Sequence, residues 1–205
     1  MDSRMKLTAF NPDKLARFEK ENYVAYYQKR WLRLLRVSIR MVQEAYHFSL
    51  LQAIYGAYLI ARAEIAFAPF PDNDVPLAEA YMRRFFIFLN RVHGLKIDVE
   101  NAAQIEVNWW IVHRNLFAED ENQELVEALT RHLVVVYGIA ESAAREAAYH
   151  RAQGMLYSDK WVKAGMEPDS PLLAQEERAL SQAYGILRTA LASQSREEPA
   201  AIRTA

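Results

Sequence analysis

Helix start and stop signals recur along the whole chain, and they limit its fold more than any other sequence feature. Asn11 followed by Pro12 predicts a helix start, because an Asn side chain caps free N–H groups and proline suits the first helical position. Ser49 with Gln52 forms a capping-box pattern before another helix, and Gly94 ends a third. No alternation of apolar and polar residues persists long enough to indicate a sheet. The pattern predicts an all-α protein.

The spacing of these signals predicts about seven helices in a single domain over residues 1–192, arranged as a helical bundle or an irregular globular α fold. The expected helices span residues 12–46, 50–67, 76–92, 99–117, 121–137, 141–164 and 171–192. In the first of them Leu15 and Phe18 fall on the side that arginines occupy further along, so we expect a bend or break near Lys20 to Asn22. Residues 193–205 lack the apolar content to pack, and we expect a disordered tail there.

The Leu-Val-Val-Val-Tyr run at 133–137 is the main challenge to an all-helical fold, because β-branched residues favour strands. Its neighbours favour a helix. Leu125, Leu129, Leu133 and Val136 are spaced for one helical face, and a lone strand could not pair its backbone groups. We therefore predict that the run belongs to the helix at 121–137.

The composition is typical of a soluble globular protein. The 205 residues include no cysteine, which excludes disulfides and thiolate metal sites. The first residues contain no apolar stretch of a secretory signal, so we expect a cytoplasmic protein. The most apolar stretch, residues 48–61, has 14 residues before Arg62, whereas a membrane-spanning helix needs about 20. We expect a buried helix there and no transmembrane segment.

Charge is unevenly distributed along the chain, although the formal net charge is only −1. Residues 1–42 contain ten Lys and Arg against four acids, and residues 98–127 contain eight acids and only Arg114 as a base. This distribution is compatible with packing between the two segments, with self-association into a homo-oligomer, or with a basic face for phosphates. We do not expect nucleic-acid binding, because no base-reading motif accompanies the basic residues.

Glu44 and His47 form a Glu-x-x-His pair, which resembles the metal-ligand motif of ferritin-like diiron carboxylate proteins. In that family two helices each supply this motif and two others each supply a Glu. This chain has no second Glu-x-x-His, and helical projection places the pair near the arginine-rich side of its helix, opposite the apolar arc. We therefore expect both side chains at the surface or at a helix end, without metal-ligand partners.

The fourth expected helix carries two ionisable residues inside its apolar face. Glu106 and His113 project between Trp109 on one side and Trp110 on the other edge of that face. A buried carboxylate is costly unless it is paired, so each residue should have a polar partner on another helix. The two lie seven residues apart, about 10 Å along the axis, which is too far for a direct hydrogen bond.

His132 and Arg145 are the candidate partners on the next two helices. His132 falls on the apolar face of its helix, and Arg145 shares a face with small alanines. Together with Glu106 and His113, and walled by Trp109, Trp110 and Tyr81, they would form a small-molecule pocket or an acid–base site. The interpretation that we favour for these residues is a satisfied buried ion network that fixes the register of the helices.

The sequence therefore leaves two classes of function open. The first is a non-catalytic helical protein that binds a partner protein or a small apolar ligand. The second is an enzyme with an acid–base or metal site around Glu106 and His113. No nucleotide-binding loop and no nucleophile motif occurs in the chain, and we expect no resident metal.

Overall fold

The computed structural model describes residues 9–120 and 122–201, and this part of the chain is all-α. Eight helices follow one another with connections of a few residues. They are α1 (Pro12–Tyr27), α2 (Trp31–Tyr46), α3 (Leu50–Phe67), α4 (Val75–His93), α5 (Val99–Asn115), α6 (Gln123–Tyr137), α7 (Glu141–Lys163) and α8 (Pro171–Ala201). The predicted fold class is confirmed, and the Leu-Val-Val-Val-Tyr run lies within α6.

The helix ends use the capping residues that the sequence indicates. The Asn11 side chain accepts from the Lys14 N–H at 3.0 Å, and the Asp98 side chain accepts from the Asn101 N–H at 3.3 Å. Ser49 makes both bonds of its capping box. Local side-chain chemistry therefore fixes the starts of α1, α3 and α5, because free N–H groups of a first turn need an acceptor.

The first predicted helix is broken, but at Gln28–Arg30 and not at Lys20 to Asn22. Lys29 takes a left-handed conformation with φ 57°, and the Arg30 N–H bonds back to the Ala25 carbonyl at 2.8 Å. This geometry ends a helix in the manner of a Schellman motif. The break was predicted too early because no glycine marks this helix end. Lys29 takes the left-handed conformation that glycine usually takes there.

Each helix packs against the next one in sequence, and α8 packs against α1, so the eight helices form a closed ring of contacts. The most extensive contact joins α7 and α8. At that contact Gly154 allows close approach, since a Cβ atom there would lie 2.9 Å from Leu180.

Two apolar cores fill the fold. The first joins α2–α5 with Val136 of α6 and is rich in aromatics such as Phe85 and Phe86 of α4. The second joins Phe10, α1, α6, α7 and α8. Trp109 and Tyr137 pack against both cores, so the boundary between the cores passes through α5 and α6.

Helix α3 corrects the prediction of a buried helix at residues 48–61, because only one of its sides is buried. Ala53, Gly56 and Leu59 face the core, whereas Leu51 is 79% exposed and Ile65 is 64% exposed. By length and composition α3 could cross a membrane, and it is the single such helix in the described part of the chain.

Helix α8 extends beyond its predicted end at Ala192 and continues to Ala201. The predicted tail, residues 193–205, therefore begins inside this helix. Residues 202–205 of that tail lie outside the described residues.

Candidate functional site

Ionisable side chains from five helices meet beside Trp109 and Tyr137, where the two cores adjoin. We call this group the polar network. It consists of Glu106 of α5, His132 of α6, Arg151 of α7, Glu19 of α1 and Tyr184 of α8.

Glu106 is the acceptor at the centre of the polar network. One carboxylate oxygen lies 2.7 Å from His132 Nε2. The other oxygen accepts the indole N–H of Trp109 at 3.1 Å and that of Trp110 at 3.3 Å. Both oxygens are therefore occupied, as a buried carboxylate requires.

Burial alone would raise the pKa of Glu106, but the charge of His132, its hydrogen bond, the charge of Arg151 and the Trp109 hydrogen bond outweigh burial. The pKa of Glu106 is consequently lowered below its usual value. A carboxylate that stays ionised near neutral pH is a weak general base, because efficient proton transfer needs a pKa near the working pH.

The charge of Arg151 acts on Glu106, and its guanidinium also contacts residues of α5 and α1. Its guanidinium lies 5.0 Å from the centre of the Trp109 ring and donates to Glu19 at 3.1 Å. The Tyr184 hydroxyl donates to the second oxygen of Glu19. Burial would lower the pKa of Arg151, but Glu19, Tyr184 and Glu106 raise it overall, so the guanidinium stays charged. The polar network links α5, α6, α7, α1 and α8 through the Glu106–His132 pair, the Arg151–Glu19 pair and the Tyr184 hydroxyl.

A second cluster surrounds Asp159 of α7, which is almost completely buried. Its carboxylate lies 3.1 Å from His113 Nε2 and accepts from the Tyr23 hydroxyl at 2.5 Å and from the Ala118 N–H at 3.1 Å. Burial, and next the charge of Asp159, raise the pKa of Tyr23 far above its usual value, so its hydroxyl keeps the proton it donates. This Asp159 cluster ties α1, α5 and the turn after α5 to α7.

The structure brings four of the predicted site residues together: Glu106, Trp109, Trp110 and His132. As predicted, Glu106 and His113 each have a polar partner on another helix, but they belong to separate clusters.

Two further candidates lie elsewhere. Arg145 is 54% exposed on its side chain and lies 3.5 Å from Glu141 on its own helix, so its placement in the cluster was wrong. Tyr81 packs in the first core, with the guanidinium groups of Arg62 and Arg84 over its ring at 4.8 Å and 5.1 Å.

Sequence reasoning missed Arg151 and Asp159, although one signal was present. On an ideal helix Arg151 falls within the arc of Ala144, Ala147 and Ala148, all of which are buried, whereas Arg145 falls at the edge of that arc. A cation centred on a face of small residues indicates a close neighbouring helix with an acid. Asp159 shares a face of α7 with Ala148, Ala152 and Met155, all of which are buried, so the sequence indicates its burial. Its three partners have no local signal, because they come from distant parts of the chain.

The Glu-x-x-His pair lies away from both clusters. Glu44 accepts the Asn11 N–H at 2.7 Å, and Lys14 lies 4.0 Å from its other oxygen. His47 is exposed and caps the C-terminus of α2. Both placements follow the prediction of a surface or helix-end position.

A shallow groove of ≈ 490 Å³ lies over α4–α6 and contains Glu79, Asn108 and Arg131, but none of the predicted site residues. Within residues 9–120 and 122–201, no group of three or more His, Asp or Glu side chains is placed to hold a metal ion.

Comparison with known proteins adds no functional assignment to this geometry: no family model, no curated protein and no solved structure matches the chain.

Proposed function

We propose that the protein is non-catalytic and docks onto a partner through the exposed apolar side chains of α2 and α3. The observation that carries this proposal is their concentration on two helices that pack together. Of fourteen large hydrophobic side chains that are exposed in the described part of the chain, nine belong to α2 or α3. We call these nine the α2–α3 surface: Trp31, Leu32, Leu35, Leu50, Leu51, Ile54, Tyr55, Tyr58 and Ile65.

The α3 part of this surface is one continuous stripe. Leu51, Ile54, Tyr58 and Ile65 recur at the three-, four- and seven-residue spacing that places side chains on one side of a helix. Soluble monomers expose apolar side chains singly, and contiguous apolar patches mark interaction sites. The stripe runs along most of the 18 residues of α3.

The two polar clusters support a non-catalytic role. In both, the carboxylate oxygens are occupied by donors of the chain itself, and Glu106 has a lowered pKa. Such a network stabilises the register of packed helices without needing a substrate.

The α2–α3 surface is tested by the double substitution Leu51→Glu/Ile65→Glu, which places charges at its two most exposed α3 positions. In gently lysed cells without detergent, the wild-type protein should sediment with particles or assemblies larger than a monomer. The variant should remain in the supernatant as a folded monomer, because a docked interface does not tolerate unpaired charge. The matched control Leu77→Glu/Ile87→Glu changes two exposed positions of α4 and should sediment like the wild type. A monomeric wild type, or equal behaviour of both variants, contradicts the proposal.

The second candidate function is an enzyme, and the two carboxylate–imidazole pairs favour it, His113–Asp159 and His132–Glu106. Metal analysis of the purified protein tests this candidate. Stoichiometric iron, manganese or zinc would support the enzyme, and metal-free protein with intact docking would support the first proposal.

A further inference from the structure

The first turns of α2, with the residues just before them, combine positive charge with exposed apolar side chains. We call residues 26–40 the basic segment. Its exposed cations are Lys29, Arg30, Arg33, Arg36 and Arg40, and its exposed apolar residues are Tyr26, Trp31, Leu32 and Leu35. Leu32 is 82% exposed.

The charge of the basic segment is almost uncompensated. No acid occurs between residues 22 and 43. Among the described residues, Arg33 is the one cation of the segment in an ion pair, with Glu21 at 3.5 Å. The acidic stretch at 98–127 does not neutralise it, since Glu100, Glu119 and Asp120 pair with bases of α4 and α7. The segment therefore presents a cationic surface to solvent.

The apolar residues adjoin the cations on the same exposed half of the helix. By helical projection Trp31, Leu35 and Leu32 cover one arc, and Arg36, Arg40 and Arg33 cover the next. Further along α2 the same apolar arc is covered by the first core, where Val42 is buried. The start of α2 thus extends its apolar arc beyond the core.

We infer that the basic segment seats the protein on the surface of an anionic lipid bilayer. Trp31, Leu32 and Leu35 enter the boundary between headgroups and acyl chains, and the arginines bind lipid phosphates and carboxylates. Interfacial helices have this arrangement, with aromatic and Leu side chains beside a basic face. This inference rests on the proposed function, because it names the partner of the α2–α3 surface.

Other partners fit this segment less well. A second copy of the chain would bring five cations against five cations, which repel each other. Nucleic acid would neutralise the cations, but its phosphates give no contact to Leu32 and Leu35. A bilayer with anionic headgroups supplies both negative charge and an apolar layer.

The test is co-sedimentation of the full chain with vesicles of phosphatidylcholine alone or with about 30% phosphatidylserine. We expect the partition coefficient to be at least about tenfold higher on the anionic vesicles, and to fall as salt is raised to about 0.5 M. Arg30→Gln/Arg36→Gln should lower anionic binding by roughly 10- to 30-fold, because each basic residue near the surface contributes attraction. Leu32→Ser should lower it several-fold by removing inserted apolar area.

Matched controls separate the segment from net charge and from folding. Arg131→Gln/Arg178→Gln removes the same charge from exposed sites outside the segment and should bind like the wild type. Arg30 makes no side-chain cap bond to α2, so its replacement leaves the helix start intact, and circular dichroism should show unchanged helix content.

Absence of vesicle binding, equal binding to neutral and anionic vesicles, or wild-type binding by Arg30→Gln/Arg36→Gln would each overturn the inference. The proposed function fails separately. In one outcome, Leu51→Glu/Ile65→Glu is released from the sedimenting assemblies of the lysate while the wild-type protein does not bind vesicles. That result would support docking through the α2–α3 surface and contradict the assignment of a lipid bilayer as the partner.

Discussion

The two carboxylate oxygens of Glu106 accept hydrogen bonds from three donors, which belong to Trp109, Trp110 and His132. Glu106→Ala would leave the Trp109 and Trp110 indoles and His132 Nε2 without their acceptor. We expect a loss of about 2–4 kcal/mol in the free energy of unfolding. Glu106→Gln keeps shape and an acceptor oxygen, so it should recover part of that loss.

Urea denaturation of both variants measures this difference. Replacement of the exposed Glu146 by Ala serves as the control and should change stability by less than about 0.5 kcal/mol. If Glu106→Ala were as stable as the wild type, the polar network would have no structural role.

Glu176 of α8 is buried and confers a pH dependence. Burial raises its pKa to about 8 from 4.5, although a hydrogen bond with Ser158 and the charge of Lys20 lower it; Glu19 and Asp159 add to the rise. The folded chain therefore holds a proton that the unfolded chain loses between pH 4.5 and about 8. The contribution of Glu176 to the free energy of unfolding is complete below pH 4.5, and it is lost as the pH rises to about 8.

Glu176→Gln removes this dependence, because an amide stays neutral at every pH. Each pKa unit corresponds to about 1.4 kcal/mol, so the variant should gain up to a few kcal/mol relative to the wild type between pH 5 and pH 9. Unfolding free energies of both proteins across this range measure the gain. A constant difference between them would show that Glu176 ionises normally in the folded state.

At the scale of single residues, the sequence predicted a site residue correctly where that residue lies well inside a regular apolar face of a helix. Glu106 and His132 were both found in this way, and they lie 2.7 Å apart. The partners of Asp159 could not be predicted, because His113, Tyr23 and Ala118 are brought near it only by the tertiary fold.

At the scale of elements, the contact between α7 and α8 depends on one glycine. Gly154→Ala would place a Cβ atom 2.9 Å from Leu180, whereas at Gly185 of α8 a Cβ atom meets nothing within 4 Å. Alanine improves helix propensity at both sites by up to about 1 kcal/mol, but crowding at Gly154 costs about 1–3 kcal/mol. We expect Gly185→Ala to raise the melting temperature and Gly154→Ala to lower it. The opposite order would mean that the two helices do not pack closely at Gly154.

Helix boundaries were predictable where capping residues mark them, as at Asn11, Ser49 and Gly94. The break after α1 was not, because Lys29 takes the left-handed conformation without a glycine or asparagine as a signal. The exposure of one side of α3 was not predicted either. Hydrophobicity identifies apolar side chains, but it does not say which of them a neighbouring helix covers.

At the scale of the whole molecule, ring closure by α8 against α1 has no local sequence signal, since residues far apart in the chain make that contact. Short connections predict that consecutive helices are neighbours, and no more. The closed ring leaves α2 and α3 with one side each against the cores and the other side toward solvent. This arrangement leaves the apolar side chains of the α2–α3 surface accessible to a partner.

Hydroxyl-radical labelling of tyrosines, read by mass spectrometry, tests that surface most directly. Tyr55 and Tyr58 lie on it and are 47% and 48% exposed, and Tyr149 of α7 is 52% exposed outside it. In the purified monomer the three should be labelled to a similar extent. In intact cells that make the protein, we predict that labelling of Tyr55 and Tyr58 falls several-fold relative to Tyr149, because a docked partner excludes solvent. An unchanged ratio between purified protein and cells would contradict docking through the α2–α3 surface.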